Sequence, residues 1–147
     1  GAAGAAAGAA AAAEAAGCGV VDLGRVGDGY GALAAAVGAA IDGGEVDVLL
    51  TTGGVSAGDR DLVGKVLAAR GDVLFTRVRM KPGKPLTVAV APRGGGFKGL
   101  GQGVLCVAMP GNPVSALATF HLVAVPAVRR MQGWAEPRLR RGEGRPP

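Results

Sequence analysis

One local pattern, met twice, constrains this 147-residue chain more than any other feature: an apolar run, a glycine loop, then residues at helical spacing. Val46-Asp47-Val48-Leu49-Leu50-Thr51 reads as a buried strand. It runs into Thr52-Gly53-Gly54-Val55-Ser56-Ala57-Gly58-Asp59-Arg60-Asp61. Leu62, Val63, Val66 and Leu67 then share one helical face, and Gly71 stops the helix. The second apolar run, Val104 to Ala108, leads into Met109-Pro110-Gly111-Asn112-Pro113-Val114-Ser115-Ala116. A helix is expected from Pro113 to about Val125, with Asn112 as its cap and Pro126 ending or kinking it. Glycine lets backbone approach a ligand closely, and helix N-termini present unpaired N–H groups to anions. Two such loops in one small domain point to a phosphate-bearing or oxyanion ligand.

The remaining segments set the fold class. Val20-Val21-Asp22-Leu23 reads as a short strand, Tyr30 to Ile41 as a helix with Leu33, Val37 and Ile41 inward, and Val73 to Met80 as a strand. Strand, helix, strand, helix, strand predicts parallel neighbours joined by right-handed crossovers. The expected fold is α/β, a three-layer α/β/α arrangement on a mostly parallel sheet, with 20–23, 46–51 and 73–79 adjacent. Leu86 to Val90 and Val104 to Ala108 read as a hairpin or as two neighbouring strands around Gly94-Gly95-Gly96. Residues 1–16 are almost entirely Ala and Gly, read as a helix or as low-complexity disorder. The α/β domain is expected over 17–133. Residues 134–147 read as a basic tail or the start of a further domain.

Composition narrows the function. Aromatic residues make up 3% of the chain, so the core must be built from Val, Leu and Ala. Residues 1–59 carry seven acids and one base, whereas 60–147 carry fifteen bases and four acids. Few aromatics and no nucleic-acid motif argue against a nucleic-acid partner. No long run of large apolar residues reads as a membrane span, and Glu14 with no basic n-region argues against a signal peptide. Cys18 and Cys106 lack metal or redox spacing, and read as reduced thiols of a cytoplasmic protein.

Each motif has a bland and a sharp reading. Asp59 and Asp61 beside Gly53-Gly54-Val55-Ser56 could hold a divalent cation next to a phosphate, or cap a helix. Lys81 and Lys84 flank Pro82-Gly83, which is either two cations on a stiff turn aimed at an oxyanion or a solvated turn. Asn112 caps in either case, while Ser115 could face a ligand. Asp28 lies in a loop after the first predicted strand and could reach the same crevice. His121 has no orienting partner nearby in sequence and reads as structural. All three loops follow strands, and ligands of open α/β sheets bind outside the carboxyl ends of strands. One crevice is therefore expected to collect them.

Taken together, Thr51 to Asp61, Met80-Lys81-Pro82-Gly83-Lys84-Pro85-Leu86 and Met109 to Ala116 resemble the molybdopterin molybdenumtransferases, the molybdenum insertases of MoeA and gephyrin E-domain type. The resemblance covers roughly residues 17–133. It implies insertion of molybdate into adenylylated molybdopterin with release of AMP, a magnesium requirement, and a homodimer in the full-length protein. It places Asp61, Lys81 and Lys84 in catalysis. Gly53, Gly54, Ser56, Gly83, Pro85, Pro110, Gly111, Asn112 and Ser115 would bind the pterin nucleotide and molybdate. Asp28, Asp59 and Asp61 would hold the metal. The family's strand and Thr-Gly-Asp-Glu-like loop before the first helix are replaced here by the Ala/Gly run, and Asp28 is followed by Gly29 rather than a second acid. With these departures and a start at Gly1, the chain is expected to be part of a longer protein. Two other readings are a molybdopterin adenylyltransferase of the same fold and an inactive scaffold module. The former family tends to carry Gly-Gly-Thr-Gly and lacks the Lys-Pro-Gly-Lys-Pro turn.

Overall fold

Strand β4 (Gly103–Met109) organises the domain, because its side chains alternate between two cores. Val104, Cys106 and Ala108 face one hydrophobic cluster, and Leu105, Val107 and Met109 face the other. This is the period-2 alternation of a sheet covered on both faces. The computed structural model describes residues 1–55, 61–95 and 102–138. Its four-stranded sheet has the order β1-β4-β3-β2, with β1 Val48–Thr52, β2 Asp72–Thr76 and β3 Thr87–Pro92.

Helices α2 (Tyr30–Asp42) and α3 (Leu62–Arg70) cover one face, burying Val37, Ile41, Val63, Val66 and Leu67. Helices α1 (Ala2–Ala15), α4 (Pro113–Thr119) and α5 (Val125–Met131) share the second cluster. The Ala/Gly run is thus a helix with a packing role. Ala5, Ala9 and Ala13, spaced by four, are buried against the sheet. Gly8 and Gly4 bring α1 onto Leu117 and Pro113 of α4, where a Cβ would already be in van der Waals contact. Small residues here set the distance between the two helices.

The α/β layers agree with the sequence reading, and so does the antiparallel pairing of β3 with β4. The mostly parallel sheet does not. Among the described strands only β1 and β4 run parallel, with Leu50 opposite Val107. β2 lies antiparallel on β3 at the sheet edge. The cause is the connection: Thr76 returns to Thr87 through a turn with no crossover helix, and only an antiparallel partner can be reached that way. The strand also ends at Thr76, short of Met80, because Arg77 adopts a left-handed φ of 59°. Val20-Val21-Asp22-Leu23 pairs with no strand among the described residues and is exposed throughout, between Gly19 and a left-handed Gly24.

Gly71 stops α3 as expected, and of the two effects expected of Pro126 the last helix shows a local distortion rather than an end. Gly71 stops α3 in an extended conformation, not a left-handed one, with φ −164°. Its lack of a side chain serves backbone packing, since a Cβ would lie 2.3 Å from the Val90 carbonyl oxygen. Pro126 does not end the last helix. It lacks the N–H that the carbonyl four residues earlier needs, and the chain widens into a π turn over Phe120–Ala124 before α5. Below the sheet, Arg93 donates to the carbonyls of Gly44 and Val46, fixing the approach to β1. Asp42 accepts from Arg70 and from the Gly94 N–H, and these bonds hold its carboxyl below the usual range.

Candidate functional site

The three loops meet at the end of the sheet where β1 and β4 finish together. The Gly53 N–H donates to the Met109 carbonyl at 3.0 Å, tying the first loop to the last residue of β4. Gly53 and Gly54 both have left-handed φ, 85° and 68°. Gly111 abuts this bend so closely that a Cβ on it would sit 3.3 Å from the Gly53 Cα. Glycine on both sides lets two backbones touch, as the paired loops require.

The lysine turn docks on the same region from the β2 side. Its base is a short ladder in which Arg77 N–H donates to Leu86 O at 2.7 Å and Val78 N–H to Lys84 O at 3.1 Å. Gly83 is buried at φ 110°, and its missing Cβ would lie 2.8 Å from Thr119 Cγ2 and 3.8 Å from the Ser115 carbonyl oxygen. The turn is therefore wedged against α4. Its Lys81–Pro82 peptide is cis. Lys81 and Lys84 are both exposed and make no ion pair among the described residues.

A cavity of about 180 Å³ opens where the loops converge. Val55, Asp61, Lys84 and Pro85 line it, together with Thr76 and Arg77. Asp61 is the N-cap of α3, and its Oδ1 accepts from the Gly64 N–H at 2.7 Å. Capping is thus a role Asp61 has whatever else it does. Gly64 leaves the carboxylate its room, since a Cβ there would fall 2.4 Å from Asp61 Oδ2. At the other loop, Asn112 Oδ1 accepts from Val114 N–H at 3.0 Å and Ser115 N–H at 3.2 Å, so Asn112 caps α4 as its position suggests. The Ser115 hydroxyl turns towards this cap at 3.5 Å.

Not every expected residue gathers here. Ser56 and Asp59 lie outside the described residues. Asp28 is exposed in the unpaired stretch before α2 and does not line the cavity. Gly53, Gly54, Pro110, Gly111, Asn112 and Ser115 form the adjoining loops but do not line it, and neither does Lys81. Among the described residues, no group of three or more His, Cys, Asp or Glu could hold a metal ion. His121 is exposed and meets Phe120 edge-on at 5.6 Å. Cys106 is buried among aliphatic side chains, which pushes its thiol up from about 9 to about 11 and leaves it protonated and inert.

Sequence reasoning missed Arg77. Nothing around Thr76-Arg77-Val78 distinguishes it from a strand residue; a left-handed backbone is invisible where no Gly or Asn announces it. The cavity, with Arg77 and Lys84 in its lining, lies beside the glycine loops of an α/β domain. Comparison with known proteins gives the family: the chain matches, over residues 5–130, the family described as "Probable molybdopterin binding domain", and it belongs to that family. It is 42% identical to gephyrin of Dictyostelium discoideum over 94 residues, which is 60% of this chain and 13% of that protein. It is 37% identical to the molybdopterin molybdenumtransferase of Haemophilus influenzae over 123 residues, 82% of this chain and 28% of that one. Among solved structures, the molybdopterin biosynthesis MoeA protein of Pyrococcus horikosii matches with a TM-score of 0.59 and 28% identity, covering 76% of this chain and 24% of that one. The chain thus spans between about an eighth and under a third of the curated relatives it matches.

Proposed function

We propose that this domain acts in molybdenum cofactor biosynthesis, binding adenylylated molybdopterin and molybdate for the insertion of the metal with release of AMP. The observation that carries the reading is the shared cavity in which Lys84 and Asp61, from two different loops, meet beside the paired glycine bends. The relatives' names as molybdopterin molybdenumtransferases support the transferase class. In this reading Lys84, with Lys81 at the rim, neutralises the anionic groups of pterin nucleotide and molybdate. The Gly53-Gly54 and Pro110-Gly111-Asn112 bends let those groups approach backbone, and Ser56 and Ser115 offer hydroxyls.

The donor set fits magnesium in one specific way. Asp61 presents a single carboxylate to the cavity, with one oxygen already engaged by Gly64. One carboxylate plus substrate phosphates is how magnesium is commonly held, whereas an all-protein cage needs more ligands. Asp61, with Asp59 as a further candidate, would hold the ion, which would screen the charge of the phosphates. A cytoplasmic setting is consistent with Cys18 and Cys106 being unpaired. No helix among the described residues is long and apolar enough to cross a membrane. The full-length protein would be a homodimer.

The deciding experiment measures binding of adenylylated molybdopterin and then molybdate-dependent AMP release, in this chain and in a full-length context. Binding and release support the insertase. ATP-dependent adenylylation of molybdopterin would favour the adenylyltransferase, and no binding at all a scaffold. Lys84→Ala is expected to weaken anion binding about tenfold, the size of one lost charge-assisted hydrogen bond. Wild-type affinity should fall with added salt, because ions screen an exposed ammonium over about 8–10 Å. If Lys84→Ala binds molybdate and the adenylylated pterin like wild type at low salt, the lysine turn is only surface. Asp61→Asn is expected to leave the melting temperature nearly unchanged, since Asn caps helices as well as Asp. Magnesium-dependent turnover should fall, because Asn keeps the shape and loses the charge. Unchanged turnover per folded molecule would leave Asp61 as a cap alone.

A further inference from the structure

We propose that Arg77 is a specificity-determining residue of this cavity, its guanidinium held by a left-handed backbone so as to grip a tetrahedral oxyanion beside Lys84. The proposal rests on the anion-binding reading above and adds to it the residue that reads the anion's shape.

Four observations carry it. Arg77 is the non-glycine residue with positive φ among the described residues, at 59°. Gly or Asn would adopt that conformation with less strain. No contact of its side chain explains it: the side chain is exposed and makes no ion pair or side-chain hydrogen bond among the described residues. Residues in such conformations persist where the surrounding structure over-determines them, and they cluster at active sites and ligand clamps. The bend is also held on both sides. Arg77 and Val78 are laddered to Leu86 and Lys84, and on the near side the Thr76 and Thr87 hydroxyls pair at 3.0 Å. Third, β2 carries a bulge between Val73 and Phe75, so the strand's facing is already shifted once before it reaches the cavity. In a regular strand consecutive side chains point to opposite faces. The left-handed turn breaks that alternation, and Thr76 and Arg77 both line the cavity. Fourth, the described lining has two cations, Arg77 and Lys84, against one carboxylate, Asp61.

Chemistry then names the ligand class. An ammonium is a point charge, whereas a guanidinium offers a planar fork that bonds two oxygens of a phosphate-like anion at once. Lys84 would supply attraction and Arg77 discrimination for tetrahedral oxyanions, either molybdate itself or a phosphate of the pterin nucleotide.

The test uses the whole chain and three variants, titrated calorimetrically with inorganic molybdate and separately with inorganic phosphate at two salt concentrations. Arg77→Asn keeps a residue that tolerates the left-handed turn and removes the cation. It should lower affinity for at least one anion about tenfold, flatten the salt dependence, and hold or raise the melting temperature. Arg77→Lys should recover the salt dependence but not the full affinity. The anion with the larger loss is the one Arg77 reads. If Arg77→Asn binds both anions like wild type while Lys84→Ala does not, Arg77 is only a turn residue and the anion site stands without it. If neither variant changes binding, the anion site itself is wrong and this proposal falls with it.

Discussion

Gly83→Val is expected to destabilise the domain by about 2–6 kcal/mol and to abolish anion binding in the molecules that remain folded. The stability loss has two sources. At φ 110° a residue with a side chain is strained by about 1–3 kcal/mol. Overpacking adds about 1–3 kcal/mol where neighbours cannot move. Two neighbours matter. A Cβ would come within 2.4 Å of Met80 Cε, the free end of a flexible chain that can swing away. It would also come within 2.8 Å of Thr119 Cγ2, and Thr119 cannot swing. That residue is fully buried, and its hydroxyl is fixed by 2.9 Å bonds to the Ser115 and Ala116 carbonyls. The strain relaxes most readily by lifting the Lys81–Pro85 turn off α4, which carries Lys84 out of the cavity. Urea denaturation checks the first effect, and molybdate titration at temperatures where the variant is folded checks the second. A stable variant that binds normally would mean that the turn's seat on α4 does not position Lys84.

This interlock shows what kind of information the sequence carried. Lys-Pro-Gly-Lys-Pro announced a stiff turn through residue types with fixed backbone preferences. The glycine loops and the Asn112-Pro113 helix start were legible in the same way, and β3 and β4 through their apolar runs. What stayed hidden depended on partners far along the chain. Val20-Val21-Asp22-Leu23 has strand composition, yet composition cannot supply an edge to pair with, and the segment lies exposed. β2 was legible as a strand but not as antiparallel, because its direction follows from the return at Arg77 to Leu86 rather than from its own residues. Pro126 read as a stop or a kink because local rules allow either; with Ala124, Val125 and Val128 buried, the helix runs past it after a widened turn. The Ala/Gly run looked uninformative for the opposite reason. Its information is smallness, which has meaning only once α4 lies against it. At the site, Asp61 and Lys84 were identifiable as candidates by chemistry, but their shared cavity and the presence of Arg77 in it are products of the tertiary fold.

Phe120→Ala is expected to cost about 3–5 kcal/mol, the range for deleting a buried aromatic side chain, which is a large part of a small domain's total of about 5–15 kcal/mol. Phe120 is 1% exposed and heads the fully buried side chains by size. It stands where α4 passes into the π turn and shares its cluster with Ala5, Ala9, Ala13, Ala116 and Ala124. Those neighbours explain why the upper part of the range is expected. A cavity shrinks when long side chains around it change rotamer, and alanine has none to change. Leu86, Val88, Val107, Met109 and Val125 are the larger buried members of the cluster besides Phe120; the valines are stiff, and Leu86 is fixed beside a paired central strand. Only Met109 has the flexibility to fill part of the space. Leu122, two residues on and 55% exposed, is the control: its replacement by alanine should change stability by about 0.5 kcal/mol or less. The measurement is the urea midpoint at unchanged slope, which separates lost stability from an altered denatured state. A loss below about 1 kcal/mol for Phe120→Ala would mean that α1 slides inward over its alanines to close the hole. Those alanines would then be a sliding surface rather than the fixed spacing that their contacts with α4 imply.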